Sequence, residues 1–113
     1  MTDSSESLLI QLRKGVLEYC VLAQLCAGPA YGLELAQRLA QHRALFASAG
    51  TLYPLLSRLK RQGRVDTYWE ESSSGPPRQY YKLSKDGHLA LETFRSAWGP
   101  FSQDVQTVLK ESS

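Results

Sequence analysis

Residues 50–64 read GTLYPLLSRLKRQGR, and this stretch decides the fold. Four leucines in it recur at the i, i+3, i+4, i+7 spacing of a helix that buries one face: Leu52, Leu55, Leu56 and Leu59. Proline is tolerated only in a helix's first turn, so Pro54 predicts that the helix begins close to Gly50 or Thr51. The face opposite the leucines carries hydroxyls and cations, at Tyr53, Ser57, Lys60, Arg61 and Arg64.

Two further helices are predicted before this one. The first runs from Leu8 to about Ala27 and is apolar almost all round after Val16, while residues 1–7 are expected to form a flexible tail. The second is short and runs from about Tyr31 to Gln41. Because a chain of 113 residues cannot surround such an apolar helix alone, we expect part of the first helix to meet a second chain.

After Gly63 the apolar period changes to two, which is typical of strands. Val65, Thr67 and Trp69 are predicted to face inward on one strand, and Tyr81 and Leu83 on the next. The segment between them, residues 71–77, is rich in Ser, Gly and Pro and is predicted to be the loop of a hairpin. It is interpreted either as a plain hairpin tip or as a wing that meets DNA near Arg78.

A last helix follows, capped by Ser84. Six apolar residues recur along it at alternating spacings of 3 and 4, as in a dimerisation seam: Leu91, Phe94, Trp98, Phe101, Val105 and Val108. Gly99-Pro100 interrupts the seam, and a kink or break is expected there because Pro100 has no backbone N–H to donate.

The order of these elements predicts an α+β, mainly α fold, a winged helix-turn-helix with an added C-terminal dimerisation helix. Residues 8–83 would form the DNA-binding domain and residues 84–113 the dimerisation helix. In this arrangement the third helix is the one that enters a major groove.

The distribution of charged residues narrows the possible classes of binding partner. The net charge is only +2, but residues 31–64 hold six basic residues and a single acidic one. This distribution favours a polyanionic partner, although a solvated basic face, or cations that complement a helix dipole, would look the same.

Cys20 and Cys26 are six residues apart in a helix and are expected to be free, buried thiols with no metal-ligand spacing nearby. No apolar run is long enough to span a membrane and the N-terminus is acidic, so we expect a cytoplasmic protein.

Three segments resemble the PadR family of bacterial transcriptional regulators: Tyr31-Gly32, then residues 50–59 with Gly63, then residues 78–84 (RQYYKLS). The resemblance spans about residues 8–109. It implies a homodimeric winged-helix repressor of the smaller subgroup, which includes multidrug-sensing regulators. In those proteins a tryptophan at the position of Trp98 lines a flat pocket between subunits and stacks on planar ligands.

The candidate site residues follow from the pattern and the resemblance together. The proposed DNA contacts are Tyr31, Ser48, Gly50, Thr51, Tyr53, Ser57, Lys60, Arg61, Arg78 and Tyr80. The proposed dimer interface comprises Val16, Cys20, Leu91, Phe94, Trp98, Phe101, Val105 and Val108. Trp98 and Phe94 are also candidates for binding a small aromatic effector, or they simply fill the interface.

The leading hypothesis is therefore a ligand-responsive repressor that binds a pseudopalindromic double-stranded operator as a homodimer. A winged-helix module that binds another protein is the alternative, since the fold serves both roles. Catalysis is the weakest option because the sequence suggests no nucleophile–base pair or phosphate loop, and His42 and His88 are isolated. No cofactor, metal or membrane partner is expected.

Overall fold

A computed structural model describes residues 2–46 and 48–112, with residues 2–4 described by their backbone alone. It has five helices and three strands in these residues: α1 (Thr2–Arg13), α2 (Leu17–Gln24), β1 (Ala30–Tyr31), α3 (Gly32–Leu39), α4 (Ala49–Arg61), β2 (Val65–Ser72), β3 (Gly75–Leu83) and α5 (Lys85–Glu111). The strands form one antiparallel sheet in the order β1-β3-β2. The predicted fold class, a mainly helical winged helix-turn-helix with a long C-terminal helix, is confirmed.

The N-terminal region differs from the prediction. Residues 2–7 belong to α1 rather than to a loose tail, and Met1 lies outside the described residues. The predicted single first helix is divided at Gly15, which has a φ of 78° that favours glycine. The helix from Leu8 onward was predicted, but residues 2–7 (TDSSES) are all polar and show no helical period of apolar residues, so the prediction missed this first part of α1. The Arg13 side chain fixes the end of α1 by donating to the carbonyls of Ala44 and Arg43, at 2.9 and 3.1 Å.

The core forms where the sheet meets the helices. The four leucines of α4 are buried as predicted, and Leu35 and Leu39 of α3 pack with them. Val65, Tyr81 and Leu83 close the core from the sheet, and Leu91 joins it from α5. The exposed face of α4 is therefore held in place by packing on its opposite side.

Helix α4 begins earlier than predicted. Its N-cap is Ser48, so Pro54 lies beyond the first turn. Pro54 is exposed, as is Gly50, whose carbonyl would otherwise accept a hydrogen bond from residue 54. Because water reaches that carbonyl, the missing donor costs less than it would inside the core.

The hairpin is longer than predicted. Residues 71–77 are mostly strand rather than loop, and only Ser73 and Ser74 connect β2 to β3. Thr67 is half-buried, but Trp69 is 68% exposed instead of facing inward, because this end of the hairpin extends beyond the helices that form the core. The short strand β1 was not predicted, since two residues are too few to show a period of two.

Helix α5 continues through Gly99-Pro100, so the predicted break is absent. Its predicted cap is confirmed: the Ser84 hydroxyl oxygen accepts from the Gly87 N–H at 3.0 Å and its O–H donates to the Gly63 carbonyl at 2.7 Å. Close packing explains why residue 87 is a glycine. A Cβ there would overlap the Arg64 carbonyl and approach Leu83, so only glycine lets α5 pack this closely against the start of β2.

We expect Gly87→Ala to lower the free energy of unfolding by about 1–3 kcal/mol, because backbone must shift to admit the methyl group. Gly50→Ala is the matched control, since its Cβ would meet only the Ser48 Oγ at an ordinary 3.5 Å. Urea unfolding followed by far-UV circular dichroism measures both variants. Equal stability of Gly87→Ala and the parent chain would show that Gly87 does not pack closely against the Arg64 carbonyl.

Candidate nucleic-acid interface

The solvent-facing side of α4 gathers most of the predicted DNA contacts. Tyr53, Ser57, Lys60 and Arg61 are exposed, and Ser48, Gly50 and Thr51 are exposed at its start. Among the described residues, the side chains of Lys60 and Arg61 have no ion-pair or hydrogen-bond partner. The face therefore offers hydroxyls and unneutralised cations on one rigid helix.

Arg64 does not belong to this face, contrary to the prediction. Its guanidinium is half-buried and donates to Glu18 Oε2 at 3.0 Å and to the Tyr19 hydroxyl at 3.4 Å. Arg58 of α4 binds the other oxygen of the same carboxylate, at 3.4 Å. Glu18 thus pairs with two arginines and ties α2 to α4 and to the start of β2.

Tyr53 of α4 packs on Gly32 at the start of α3. A Cβ at residue 32 would overlap the Tyr53 ring, so a larger residue there would push the exposed Tyr53 side chain aside. The backbone N–H of Tyr31 donates to Glu34 Oε1 at 3.3 Å, which fixes the first turn of α3. The Tyr31-Gly32 pair therefore sets the distance between α3 and the exposed face of α4.

Two predicted wing residues, Arg78 and Tyr80, come together around Tyr31. The Arg78 guanidinium lies over the Tyr31 ring, 4.5 Å from its centroid. Tyr80 meets the same ring edge-on at 5.4 Å and stacks on Tyr68 at 5.5 Å. Cation–π contact and ring packing hold Arg78 beside the helix-turn-helix. Tyr68 was missed as a site residue, although the strand period already placed it on the face of Tyr80.

The predicted interface residues lie on a second surface, formed by α2 and α5. Tyr19 and Phe94 stack at 4.5 Å with an 8° angle between their planes, and Trp98 and Phe101 continue the column at 5.6 and 6.2 Å. Val16 and Cys20 are half-buried beside it. Along α5 exposure rises from Leu91, 3%, to Trp98, 42%, and Phe101, 63%; Val105 and Val108 are also exposed. Most of this apolar seam is uncovered in a single chain.

An open pocket of about 380 Å³ lies beside the aromatic column, lined by Tyr19, Cys20, Ala23, Leu91, Phe94, Arg95, Trp98 and Gly99. Burial raises the pKa of the Cys20 thiol, so that thiol is a weak nucleophile at neutral pH. Both cysteines are free, but Cys26 is exposed rather than buried as expected.

Tyr19 connects the two surfaces. Its ring stacks on Phe94 on one side and lies 5.7 Å from the Arg64 guanidinium on the other. Sequence reasoning missed Glu18 and Tyr19 because their partners on and after α4 are 40 to 46 residues away along the chain. No local sequence pattern predicts contacts between residues so far apart in the chain.

Comparison with known proteins decides the family. The model of the transcriptional regulator PadR-like family matches residues 21–93, a segment that holds α3, α4, the whole wing and the start of α5. The chain belongs to the PadR-like family.

Solved structures of PadR-like regulators superpose on most of this chain. A regulator from Eggerthella lenta DSM 2243 is 36% identical, with 96% of this chain and 94% of that chain covered and a TM-score of 0.82. One from Bacillus cereus ATCC 14579 is 38% identical, with 88% and 96% covered and a TM-score of 0.78. Bacillus subtilis PadR, solved in complex with operator DNA, shares the fold at 22% identity, with 71% and 46% covered and a TM-score of 0.64.

Membership of the PadR-like family fits the arrangement of the site, since transcriptional regulation requires a surface that reads DNA and none that performs catalysis. No helix in residues 2–46 and 48–112 of this PadR-like chain is long and apolar enough to cross a membrane.

Proposed function

We propose that this chain is a homodimeric repressor that reads a two-fold operator with α4 and its wing, and that a planar aromatic effector at Trp98 releases it. The observation that carries the proposal is the exposed face of α4, with its unneutralised Lys60 and Arg61, flanked by Arg78 on the Tyr31 ring. The operator complex of the Bacillus subtilis relative supports the same use of the fold.

In this proposal α4 lies in the major groove. Lys60 and Arg61 neutralise phosphates, which supplies affinity without sequence information. Ser57 and Tyr53 reach toward base edges, where a hydroxyl donates or accepts. The wing follows the neighbouring backbone with Arg78, while Glu70 and Glu71 keep the opposite strand of the wing away from phosphate. A module that binds protein instead has no need for this cluster of cations beside hydroxyls.

We expect Lys60→Ala and Arg61→Ala each to weaken binding to all DNA sequences and to reduce the slope of log K against log salt by about one unit. Lys110→Ala is the matched control, because Lys110 is exposed at the far end of α5, 26 residues beyond the Ser84 cap. Fluorescence anisotropy over a salt series, with DNA selected from the source genome, gives both quantities. Unchanged affinity of the double variant would rule out this face.

A second copy of the chain is the proposed cover for the seam of α5. The seam residues Phe101, Val105 and Val108 are 63%, 44% and 62% exposed in a single chain, and two-fold symmetry would place each against its counterpart. Two reading helices about 34 Å apart would then match half-sites one helical turn apart.

Phe101→Asp is expected to dissociate the dimer, because two carboxylates would be buried against apolar side chains. Leu89→Asp is the control: Leu89 is 60% exposed on the same helix but on the face away from the seam. Sedimentation at micromolar concentration should give about twice 12.6 kDa for the parent chain and for Leu89→Asp, and about 12.6 kDa for Phe101→Asp. A folded, monomeric parent chain would contradict the proposal.

The proposed effector site is the pocket beside Trp98. Paired indoles near a two-fold axis would offer flat apolar faces to a planar ring, and stacking adds about 0.5–1.5 kcal/mol beyond area burial. From there the Phe94–Tyr19 stack leads to Arg64 and Glu18, and Glu18 also holds Arg58 of α4. A ligand that favours one arrangement of this series of contacts would shift the reading helices and so change operator affinity.

Trp98 is the only tryptophan left in a Trp69→Phe background, since the chain has two. Planar aromatic cations and phenolic acids should quench its fluorescence, and the phenolic acids, which do not intercalate, should loosen operator binding. Arg64→Leu should keep the quenching, because Arg64 does not line the pocket, but should weaken its effect on the operator, because the contacts with Tyr19 and Glu18 are lost. If no such compound quenches Trp98, the aromatic residues only fill the interface.

A further inference from the structure

A second pocket lies on the other side of α2, between the end of α1 and α4. Its volume is about 450 Å³, within the range of small-molecule sites. Its lining residues are Ile10, Arg13, Lys14, Gly15, Leu17, Glu18, Leu45, Thr51, Pro54, Leu55, Arg58 and Arg61. It shares no residue with the pocket beside Trp98.

Positive charge dominates this pocket. Four of its side chains are basic and only Glu18 is acidic. The Glu18 carboxylate is already bound by Arg58 and Arg64. Among the described residues, the side chains of Lys14 and Arg61 have no ion-pair or hydrogen-bond partner, and the Arg13 side chain donates only to two backbone carbonyls, which leaves its charge unneutralised.

The rest of the lining is apolar. Leu17 and Leu55 are buried at its base, Leu45 is half-buried and Ile10 extends the apolar surface along α1. The Arg13 bonds to the carbonyls of residues 43 and 44 hold the connection that carries Leu45 against α1, so both walls have fixed positions. Cations at the mouth and aliphatic side chains at the base suit one molecule with an anionic head and an apolar body.

We infer that this pocket binds a small amphipathic carboxylate, such as a medium-chain alkanoate. Its carboxylate lies between Lys14 and Arg61, and its chain packs on Leu45, Leu55 and Ile10. Charge complementarity selects this occupant over a neutral or cationic amphiphile, since a cationic head would meet unneutralised Lys14, Arg13 and Arg61.

Binding of the carboxylate does not depend on the proposed function, but one consequence does. Arg61 belongs both to this pocket and to the proposed DNA face. An anion at Arg61 removes a phosphate contact, so occupancy lowers affinity for all DNA sequences rather than changing sequence preference.

Isothermal titration of the full chain without DNA tests the site, with decanoate below its micelle concentration as the probe. Decyltrimethylammonium and decanol have the same chain with a cationic and a neutral head. We expect decanoate to bind at least about tenfold more tightly than either, and Lys14→Glu to weaken it by about tenfold or more, as expected when an attractive charge becomes repulsive. Lys110→Glu, a charge reversal at the far end of α5 and outside the pocket lining, and Trp98→Ala should leave decanoate binding unchanged.

Each other outcome overturns the inference. Equal binding of the three amphiphiles indicates adsorption to exposed apolar surface, and loss of binding in Trp98→Ala places the site at the aromatic column. No decanoate binding while Lys14→Glu weakens DNA binding assigns the pocket to backbone phosphate. A further outcome is that the chain sediments as a dimer, does not bind decanoate, and keeps its DNA binding in Lys14→Glu. That result indicates that a second copy covers the pocket. Since the titration contains no DNA, failure of the pocket and failure of the DNA-binding proposal are separate results.

Discussion

One carboxylate links three segments of this fold that also share the hydrophobic core. Glu18 is 14% exposed in its side chain and binds Arg58 on α4 and Arg64 at the start of β2. Breaking such a partly buried pair is costly because the remaining partner is left without its counter-charge. The same pairing withdraws two arginines from the basic surface, so the cations that remain available on α4, Lys60 and Arg61, are those at its exposed face. The geometry of the reading surface therefore depends on a residue that is not part of it.

The wing is held by aromatic contacts rather than by the core. Its outer end extends beyond the buried residues, and the backbone hydrogen bonds of β2 and β3 alone would leave it free to twist. Tyr31 limits that freedom because its ring contacts both Arg78 and Tyr80 of β3, while the adjacent Gly32 contacts Tyr53 of α4. Two neighbouring residues thus relate the wing to the helix, which explains why a Tyr-Gly pair far from α4 in sequence belongs with it.

The sequence predicts the parts of the fold whose burial follows a local period. The leucines of α4, the inward Tyr81 and Leu83 and the Ser84 cap are all found in the structure. Features without periodic burial were missed: the polar first part of α1 (residues 2–7), the turn at Gly15 and the outer half of the wing. For the candidate site, the residues on one helix face could be predicted from spacing alone. The contacts of Glu18, Tyr19 and Gly32 could not, because they join segments that only the tertiary fold brings together.

Two pockets on opposite sides of α2 would act on DNA binding by different physical routes. The pocket beside Trp98 reaches α4 only through the Tyr19, Arg64 and Glu18 contacts, so an effector there must favour one of two arrangements of packed side chains. The basic pocket contains Arg61 itself, so an anion there changes the charge of the reading face without any rearrangement. The first route depends on the geometry of the dimer and can alter operator recognition, while the second is electrostatic and weakens with salt. Because α2 lies between the two pockets, it supplies lining residues to both, Glu18 to the basic pocket and Tyr19 to the pocket beside Trp98.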